Sequence, residues 1–148
     1  MERLTRSIED FNAVFIRLPV VDRLSFSSLS VLHTLSRLGA CRLSDLVRTE
    51  QIKQPALTAA VAKLERDGFV RRSPDPGDGR ASLLSLTAAG QSIVSRRHAQ
   101  RMEGLRRLVD RLPQADRERL VGIADVLDQL VELAGASMAD DSEDGGAT

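Results

Sequence analysis

The stretch from Arg71 to Gly90, RRSPDPGDGRASLLSLTAAG, limits the folds open to this chain more than any other segment. FVRR, which leads into it, and SLLSL, inside it, have the composition of short strands. The segment between them should form a loop, because proline and glycine interrupt strands and permit sharp turns at Pro74, Pro76, Gly77 and Gly79. Asp75 and Asp78 could brace this loop, one of them by pairing with Arg80. The stretch therefore predicts a β-hairpin that holds one arginine at a narrow tip.

A leucine-rich segment well before the hairpin predicts a helix. Its N-cap would be Ser27 or Ser28, and Gly39 would end it. The side chains that should form its buried stripe are Leu29, Leu32 and Leu35. The next residues, Cys41–Leu43, have the character of a short strand.

Two more helices should lie between this strand and the hairpin. Ser44 can cap a short helix that reaches Thr49. Pro55 then begins a longer helix at a first-turn position, where its missing N–H costs nothing, and Gly68 ends it. The inward-facing residues of the longer helix should be Leu57, Val61 and Leu64.

Long amphipathic helices flank this central part of the chain. The first spaces its apolar residues three or four apart as far as Pro19, at Leu4, Ile8, Phe11, Phe15 and Leu18. Thr87 can cap a second helix that continues to Leu112, before Pro113 breaks it. The last helix repeats the apolar spacing at Leu120, Ile123, Leu127, Leu130 and Ala134. Residues 136–148 are acidic, have no apolar stripe and predict a disordered tail.

The order helix, helix, hairpin is that of a winged helix-turn-helix, in which the second helix enters the major groove of DNA and the hairpin lies against the backbone. Residues 55–67 would be the recognition helix, with its polar and small side chains on the face away from the leucines. Arg80, at the tip, suits the minor groove, where negative potential is concentrated. The residues expected to contact DNA are Ser44, Gln54, Pro55, Thr58, Ala59, Lys63, Arg66, Arg71, Arg72, Asp78 and Arg80.

Two motifs in this region resemble the MarR family of bacterial winged-helix transcription regulators. KQPALTAAVAKLERDGFVRR is similar to the family's recognition helix and its Leu-Glu-x-x-Gly turn into the wing. DPGDGRASLLSLTAAG is similar to the Asp-x-Arg wing motif that runs into Leu-Thr-x-x-Gly. The flanking helices match the family's architecture, so that the resemblance covers about residues 5–134. Many members have arginine where this chain has Gly77, which leaves Arg80 as the only arginine at the tip.

The resemblance implies a homodimer that binds a pseudo-palindromic operator, and in many members a repressor released by a small phenolic or lipophilic ligand. The apolar spacing independently requires a partner, because a core of this size cannot cover both outer stripes. The expected dimerisation residues are Leu4, Ile8, Phe11, Phe15, Leu18, Leu120, Ile123, Leu127 and Leu130. A ligand pocket could draw on Phe15, Leu32, His33 and Leu86.

We therefore predict a mainly α-helical fold with a small β-hairpin, a winged helix-turn-helix between dimerisation helices. An N-terminal dimerisation helix would span residues 1–22 and the DNA-binding domain residues 27–87. The C-terminal helices, residues 88–135, would complete the dimerisation domain, and the acidic tail would span residues 136–148.

The composition bears on other classes of function. No nucleophile–base signature, phosphate-binding glycine loop or metal-ligand cluster stands out, so we expect neither an enzyme nor a cofactor. Only 3% of residues are aromatic, which disfavours single-stranded nucleic acid and RNA, whose bases stack on aromatic rings. A single cysteine and no apolar run of membrane-spanning length favour a cytoplasmic protein.

Three alternatives stay open. The wing could bind other proteins, since residues 41–80 hold 8 basic and 6 acidic residues, a net charge of only +2. Cys41 could make the chain a thiol-based redox-sensing regulator, although a buried structural thiol is the simpler interpretation. The arginines of the long helix could form a nucleic-acid-binding stripe, although a solvated or ion-paired face is the simpler interpretation. They are Arg96, Arg97, Arg101, Arg106, Arg107 and Arg111.

Overall fold

A computed structural model describes residues 1–18, 24–49 and 52–144 of the 148-residue chain, without the side chains of residues 135–144. Its elements in chain order are α1 (Glu2–Phe15), α2 (Phe26–Leu38), β1 (Cys41–Arg42), α3 (Leu43–Thr49), α4 (Gln54–Arg66), β2 (Val70–Asp75), β3 (Asp78–Leu86), α5 (Ala88–Val109) and α6 (Gln114–Asp144). The fold is mainly helical, as predicted, with one antiparallel sheet in the order β1-β3-β2. Met1–Gly104 and Leu105–Thr148 form two compact units.

The N-cap of α2 is Ser25, so the prediction of Ser27 or Ser28 is wrong. The Ser25 hydroxyl accepts a hydrogen bond from the Ser28 amide at 3.2 Å, as an N-cap does. Ser28 itself is fully buried. A cap must precede the first helical turn, and three serines close together in the sequence leave its position open. The helix ends at Gly39, as predicted.

The short helix α3 begins at Leu43, one residue earlier than predicted, so Ser44 lies inside the helix and does not cap it. The Asp45 carboxylate accepts a hydrogen bond from the Arg42 amide at 2.9 Å and holds this end of the helix. In α4, Pro55 lies in the first turn, as predicted.

Gly68 stops α4 by leaving the right-handed helical region. Its φ is +75°, a value that a side chain with a Cβ adopts at a cost. The Phe69 amide then donates to the Leu64 carbonyl at 2.9 Å, which closes the C-terminal turn. The chain is thereby turned from α4 into the first strand of the hairpin.

The hairpin is longer and its turn tighter than predicted. β2 and β3 pair up to Asp75 and Asp78, so only Pro76 and Gly77 lie between the strands. Pro74 does not end its strand, because β2 lies at the edge of the sheet, where a missing N–H leaves no central ladder bond unmade. Gly79 likewise lies within β3, and the irregularity in pairing falls between Pro74 and Asp75.

The hydrophobic core lies in the unit Met1–Gly104 and is almost entirely aliphatic. Every element from α2 to the start of α5 contributes to it, through Val31, Leu32, Leu35, Cys41, Leu46, Leu57, Ala60, Val61, Leu64, Val70, Leu84 and Ile93. The predicted inward residues of α4 are therefore confirmed. In α2, Leu32 and Leu35 are buried, but Val31 takes the third buried position and Leu29 is half-buried.

A close backbone contact joins the hairpin to α5. The Thr87 hydroxyl accepts from the Gly90 amide at 3.1 Å, which confirms the predicted cap, and it donates to the Gly68 carbonyl at 2.6 Å. The Thr87 amide donates to the Phe69 carbonyl at 3.0 Å. A Cβ on Gly90 would lie 2.1 Å from that same carbonyl oxygen, so only glycine fits there.

In the unit Leu105–Thr148, a turn at Pro113 separates α5 from α6, as predicted. Arg117, in the first turn of α6, donates its Nε to the Leu112 carbonyl at 2.8 Å and its Nη2 to the Asp110 carbonyl at 2.5 Å. These bonds satisfy carbonyls that the end of α5 leaves unpaired.

The backbone of α6 continues to Asp144, whereas the sequence predicted a helix end at Gly135 and a disordered tail. The part of α6 after Gly135 includes two alanines, Ala136 and Ala139, which have the highest helix propensity, and a single glycine costs only about 1 kcal/mol. Residues 145–148 lie outside the described residues, as do residues 19–23, which include the end of the predicted first domain at residue 22.

Candidate nucleic-acid interface

The two faces of α4 differ sharply in exposure. Leu57 and Leu64 are completely buried against the core. The opposite face is exposed and carries the residues predicted to contact DNA, namely Gln54, Pro55, Thr58, Ala59, Lys63 and Arg66. We call these six residues the recognition face. Ser44 on α3 and Arg71, Arg72, Asp78 and Arg80 in the hairpin are exposed as well.

Internal contacts leave parts of the recognition face available for a partner. The Thr58 hydroxyl donates to the Gln54 carbonyl at 2.9 Å, which leaves its oxygen free to accept. Lys63 pairs with Asp67 one turn later at 2.6 Å, but both side chains remain substantially exposed. An exposed pair of this kind is weak and can open for a stronger anion such as phosphate.

The two arginines at the base of the hairpin serve different contacts. Arg72 donates from Nε and Nη2 to the two oxygens of Glu65 on α4, at 3.1 and 3.2 Å, and from Nη1 to Ser82 at 3.0 Å. This forked geometry occupies the guanidinium and ties the hairpin to α4. Arg71 donates its Nε to Ser85 at 3.0 Å, which leaves most of its donors uncommitted.

The hairpin tip is braced by Arg42 of β1, not by Arg80. Arg42 reaches Oδ2 of Asp75 with Nε at 2.7 Å and Nη2 at 2.5 Å, and its Nη1 lies 3.8 Å from Oδ2 of Asp78. Only the backbone amide of Arg80 contacts Asp78, at 3.1 Å. The prediction that Arg80 pairs with one of these aspartates is therefore wrong. Among the described residues its guanidinium has no hydrogen-bond or ion-pair partner, so it is available at the tip.

The electrostatics of the tip agree with this geometry. The Gly77 amide, which donates to Asp75 at 2.8 Å, and then the Arg42 guanidinium hold the pKa of the Asp75 carboxyl below its usual range. The hydrogen bond and charge of Asp75 raise the pKa of Arg42 further. Asp75 is therefore ionised at neutral pH and holds the turn through one oxygen and Arg42 through the other.

Arg42 was not among the residues predicted from the sequence. β1 is only two residues long and pairs with β3, so that Arg42 lies opposite Leu83 across the ladder. Its approach to Asp75, 33 positions along the chain, depends on this pairing. Periodicity within one segment carries no information on such a contact, and only the acidic composition of the loop hinted that a cation must lie nearby.

The residues predicted for the dimer interface fall into two groups. Most are exposed and large, namely Leu4, Ile8, Phe11, Leu120, Ile123, Leu127 and Leu130. Phe15 and Leu18 instead contact α5 of the same chain. The Arg101 guanidinium lies 5.3 Å from the centre of the Phe15 ring, and the Leu18 side chain lies against Gly104.

The stripe of exposed apolar residues on α6 is wider than the predicted seam. Val126 and Leu133 are 53% and 65% exposed and extend the seam around one side of the helix, and Val131 lies within it. No residue between 114 and 134 is buried. A helix with so broad an apolar surface is normally covered by other protein.

Arg101 departs from the solvated arginine face predicted for α5. Its Nε is buried and finds no hydrogen-bond partner among the described residues. The guanidinium instead lies over Phe15, a cation–π arrangement. The other residues predicted for a ligand pocket lie in different surroundings. Leu32 is buried in the core, Leu86 packs against the core, and His33 is exposed.

Cys41 lies in the core, where burial and then the nearby Asp45 charge raise the pKa of its thiol. A protonated, buried thiol is a poor nucleophile, so this position does not favour redox sensing. Within the described ranges no three histidine, cysteine or acidic side chains are grouped as a metal site would require. In those same ranges, no helix combines the length and apolar character that a membrane span requires.

Comparisons with known proteins agree with this architecture. A model of the MarR family matches residues 24–82. The chain is 35% identical over 108 residues to the HTH-type transcriptional regulator MT0903.1 of Mycobacterium tuberculosis, covering 73% of this chain and 76% of the relative. It is 27% identical to the homoprotocatechuate degradative operon repressor of Escherichia coli, with 82% of each chain covered.

Among solved structures, RV1404 from Mycobacterium tuberculosis superimposes with a TM-score of 0.76 over 90% of this chain and 93% of that one, at 21% identity. The shared fold thus extends over most of the chain and is not limited to the hairpin motif. The family model and the sequence relatives establish that the chain belongs to the MarR family of DNA-binding transcription regulators.

Proposed function

We propose that this protein is a homodimeric, sequence-specific repressor that binds double-stranded DNA and is released by a small aromatic acid. The observation that carries the proposal is the exposed recognition face of α4 beside a braced hairpin with an uncommitted arginine. The face offers Gln54 and Thr58 for base edges, and Lys63 and Arg66 for phosphates. A partner of this kind would place the protein in the cytoplasm.

Dimerisation follows from the exposed apolar stripes of α1 and α6. An uncovered surface of this extent is unfavourable in water, and a second copy presents the same stripes in return. Two copies would present two recognition faces. To enter successive major grooves, these faces must lie roughly 34–36 Å apart, which is one turn of the DNA helix.

The effector class follows from Arg101 and Phe15. A buried Nε without a partner among the described residues would gain a charge-assisted hydrogen bond from a carboxylate. Phe15 and Phe11 are stacked beside it with ring centroids 5.8 Å apart, and this aromatic pair could pack against an aromatic ligand. The E. coli relative is named for repression of the homoprotocatechuate degradative operon, which supports an aromatic acid. Leu32 would contact such a ligand only if the core opened.

Release requires that the ligand bind one arrangement of the two recognition helices better than the other. A ligand that binds both equally shifts nothing, however tightly it binds. An aromatic acid that binds at the contact between Phe15 of α1 and Arg101 of α5 would favour one spacing of the dimer. If that spacing no longer fits successive major grooves, DNA affinity falls by the same coupling factor with which DNA weakens ligand binding.

The test is duplex selection with the full chain, followed by affinity measurements at several salt concentrations. We expect a palindromic sequence, two chains per duplex, and affinity that falls with salt at a log–log slope of about −0.9 per phosphate neutralised. Arg80→Ala should weaken binding about tenfold. The matched control is Arg119→Ala, an exposed arginine on α6, which should change affinity little.

Two results would contradict the proposal. A chain that stays monomeric at micromolar concentration cannot present two recognition faces. A chain that shows no salt-dependent preference for duplex DNA would instead fit a winged helix that binds other proteins. Arg101→Gln separates the effector from the DNA, because it should abolish release by aromatic carboxylates and leave operator affinity unchanged.

A further inference from the structure

We propose that Arg42 is a positioning residue for DNA binding, which acts by holding the hairpin tip and not by touching DNA. The inference rests on the proposed function, since it concerns how Arg80 is presented to the minor groove. The Arg42 guanidinium contacts the residues on both sides of the two-residue turn, and these contacts support the inference. We call Arg42, Asp75 and Asp78 the wing brace.

The first arm of the wing brace runs through Asp75. Its Oδ2 receives Nε and Nη2 of Arg42 at 2.7 and 2.5 Å, and its Oδ1 receives the Gly77 amide at 2.8 Å. Asp75 therefore links the Arg42 guanidinium, through Oδ2, to the backbone of the turn, through Oδ1. The Asp75 side chain is only 11% exposed, so that water competes poorly for these bonds.

The second arm runs through Asp78. Its Oδ2 lies 3.8 Å from Nη1 of Arg42, and its Oδ1 receives the backbone amide of Arg80 at 3.1 Å. This arm is longer and more exposed, and we expect it to be the weaker one. This second arm matters because it holds the backbone of Arg80, the arginine that we propose reaches DNA.

Arg42 is itself held in place. Its amide donates to Asp45 at 2.9 Å in α3, and its residue pairs with Leu83 in the sheet. The wing brace thus links the tip to α3 and β1, which are packed on the core. A wing attached only at its base by Arg72 and Glu65 could still bend at the tip, whereas a second attachment at the tip prevents that movement.

The alternative is that Arg42 contacts phosphate and the aspartates are bystanders. The two interpretations predict opposite signs for Asp75→Asn. A bystander carboxylate repels DNA, so that its removal should tighten binding slightly, by less than twofold after screening by salt. Removal of a brace should weaken binding, because Arg80 would no longer be held where the minor groove needs it.

The experiment compares three variants of the full chain on the duplex selected by the wild type. We expect Asp75→Asn and Arg42→Ala each to weaken binding about fivefold, and the double variant to lose little more than either one, since both remove the same connection. The matched control is Asp116→Asn, which breaks the exposed Arg119–Asp116 pair on α6 and should leave affinity unchanged within about twofold. Tighter or unchanged binding by Asp75→Asn, or losses that add up in the double variant, would overturn the proposal.

A second measurement needs no DNA. Arg42 does not itself bond to the amides of Gly77 and Arg80, so Arg42→Ala can alter their hydrogen exchange only through the two carboxylates. We expect exchange at both amides to accelerate at least threefold in the free protein, with the Phe69 amide unaffected. Unchanged exchange would refute the brace. If the wild type binds no duplex, the proposed function fails, and the exchange result still decides whether the wing brace exists.

Discussion

The winged-helix region and the outer helices carry the same apolar spacing. Within a single chain, however, the apolar faces of the winged-helix region are buried and those of the outer helices are exposed. In α4, Leu57 and Leu64 are both 0% exposed, whereas in α1 Leu4 and Phe11 are 52% and 50% exposed. Both sets lie three or four residues apart, and both form one side of a helix. Periodicity thus identifies an apolar face but not what covers it, which is the same chain for α4 and, in the proposed dimer, a second copy for α1 and α6.

The largest effect should come from the covered face. Leu64→Ala removes a fully buried side chain from the core and leaves a cavity, and we expect it to lower the free energy of unfolding by about 2–5 kcal/mol. Denaturant unfolding of the purified variant measures this loss. The loss should persist at every protein concentration, because the contact lies within one chain; a loss that vanished at high concentration would contradict the distinction between the regions.

Leu127→Ala tests the uncovered face. Leu127 is 46% exposed in one chain, so that burial by a partner would stabilise it by about 1 kcal/mol per copy. A twofold interface counts each substitution twice, so the dimer dissociation constant should rise roughly 10- to 100-fold. Sedimentation over a dilution series provides the measurement. The control is Val121→Ala, which lies about 120° around α6 from Leu127 and should have a smaller effect.

A pair of glycines sharpens the comparison at the level of the backbone. Gly90→Ala places a Cβ 2.1 Å from the Phe69 carbonyl oxygen, so the variant should lose about 1–3 kcal/mol of stability. Gly122→Ala on α6 meets nothing within 4 Å and should gain up to about 1 kcal/mol from helix propensity. Thermal unfolding of both variants tests the opposite signs. Equal effects would mean that Gly90 is not in close contact.

The smallest effect concerns a polar contact in the winged-helix region. The pKa of the Asp75 carboxyl is lowered in the folded protein, first by the Gly77 amide and then by Arg42. The ionised carboxylate therefore contributes its full stabilisation above the ordinary carboxyl pKa of about 3.9. That stabilisation is lost as the pH falls through the lower pKa of the folded protein. An NMR titration of the Asp75 carboxyl carbon should therefore show a midpoint below about 3.9. Arg42→Ala should raise that midpoint only partly, because the Gly77 bond remains. Arg119→Ala should leave it unchanged, and a midpoint that did not move in Arg42→Ala would exclude the pairing.

The sequence predicted the winged-helix region well because its signals are local. Pro55 and Gly68 bound α4 through their own backbone preferences, and Thr87 caps α5 through a bond to the Gly90 amide three positions away. Its errors occurred where a distant partner decides the outcome. Pro74 continues a strand because β2 happens to be an edge, and Asp75 pairs with Arg42 because β1 and β3 are neighbours. Neither fact can be read from spacing along the chain.

The exposure of the residues predicted to contact DNA was predictable for the same reason, since the side opposite a buried stripe must face outward. Their internal contacts were not. Glu65 binds Arg72 through both oxygens, and Arg101 turns from the expected polar side of α5 toward Phe15. From the sequence, Arg72 was predicted to contact DNA and Arg101 to belong to a solvated or ion-paired face. A sequence pattern cannot tell whether a guanidinium meets water, a carboxylate or an aromatic ring.

The contact of Gly90 with the Phe69 carbonyl has a mechanical consequence. Thr87 is bonded to the backbone on both sides of this contact, so the start of α5 and the base of the hairpin are held together by several short contacts. A tilt of the first turn of α5 should therefore move the base of the hairpin with it. If Arg80 enters the minor groove as proposed, a molecule that shifts the start of this helix would move that arginine without reaching the surface that meets the nucleic acid.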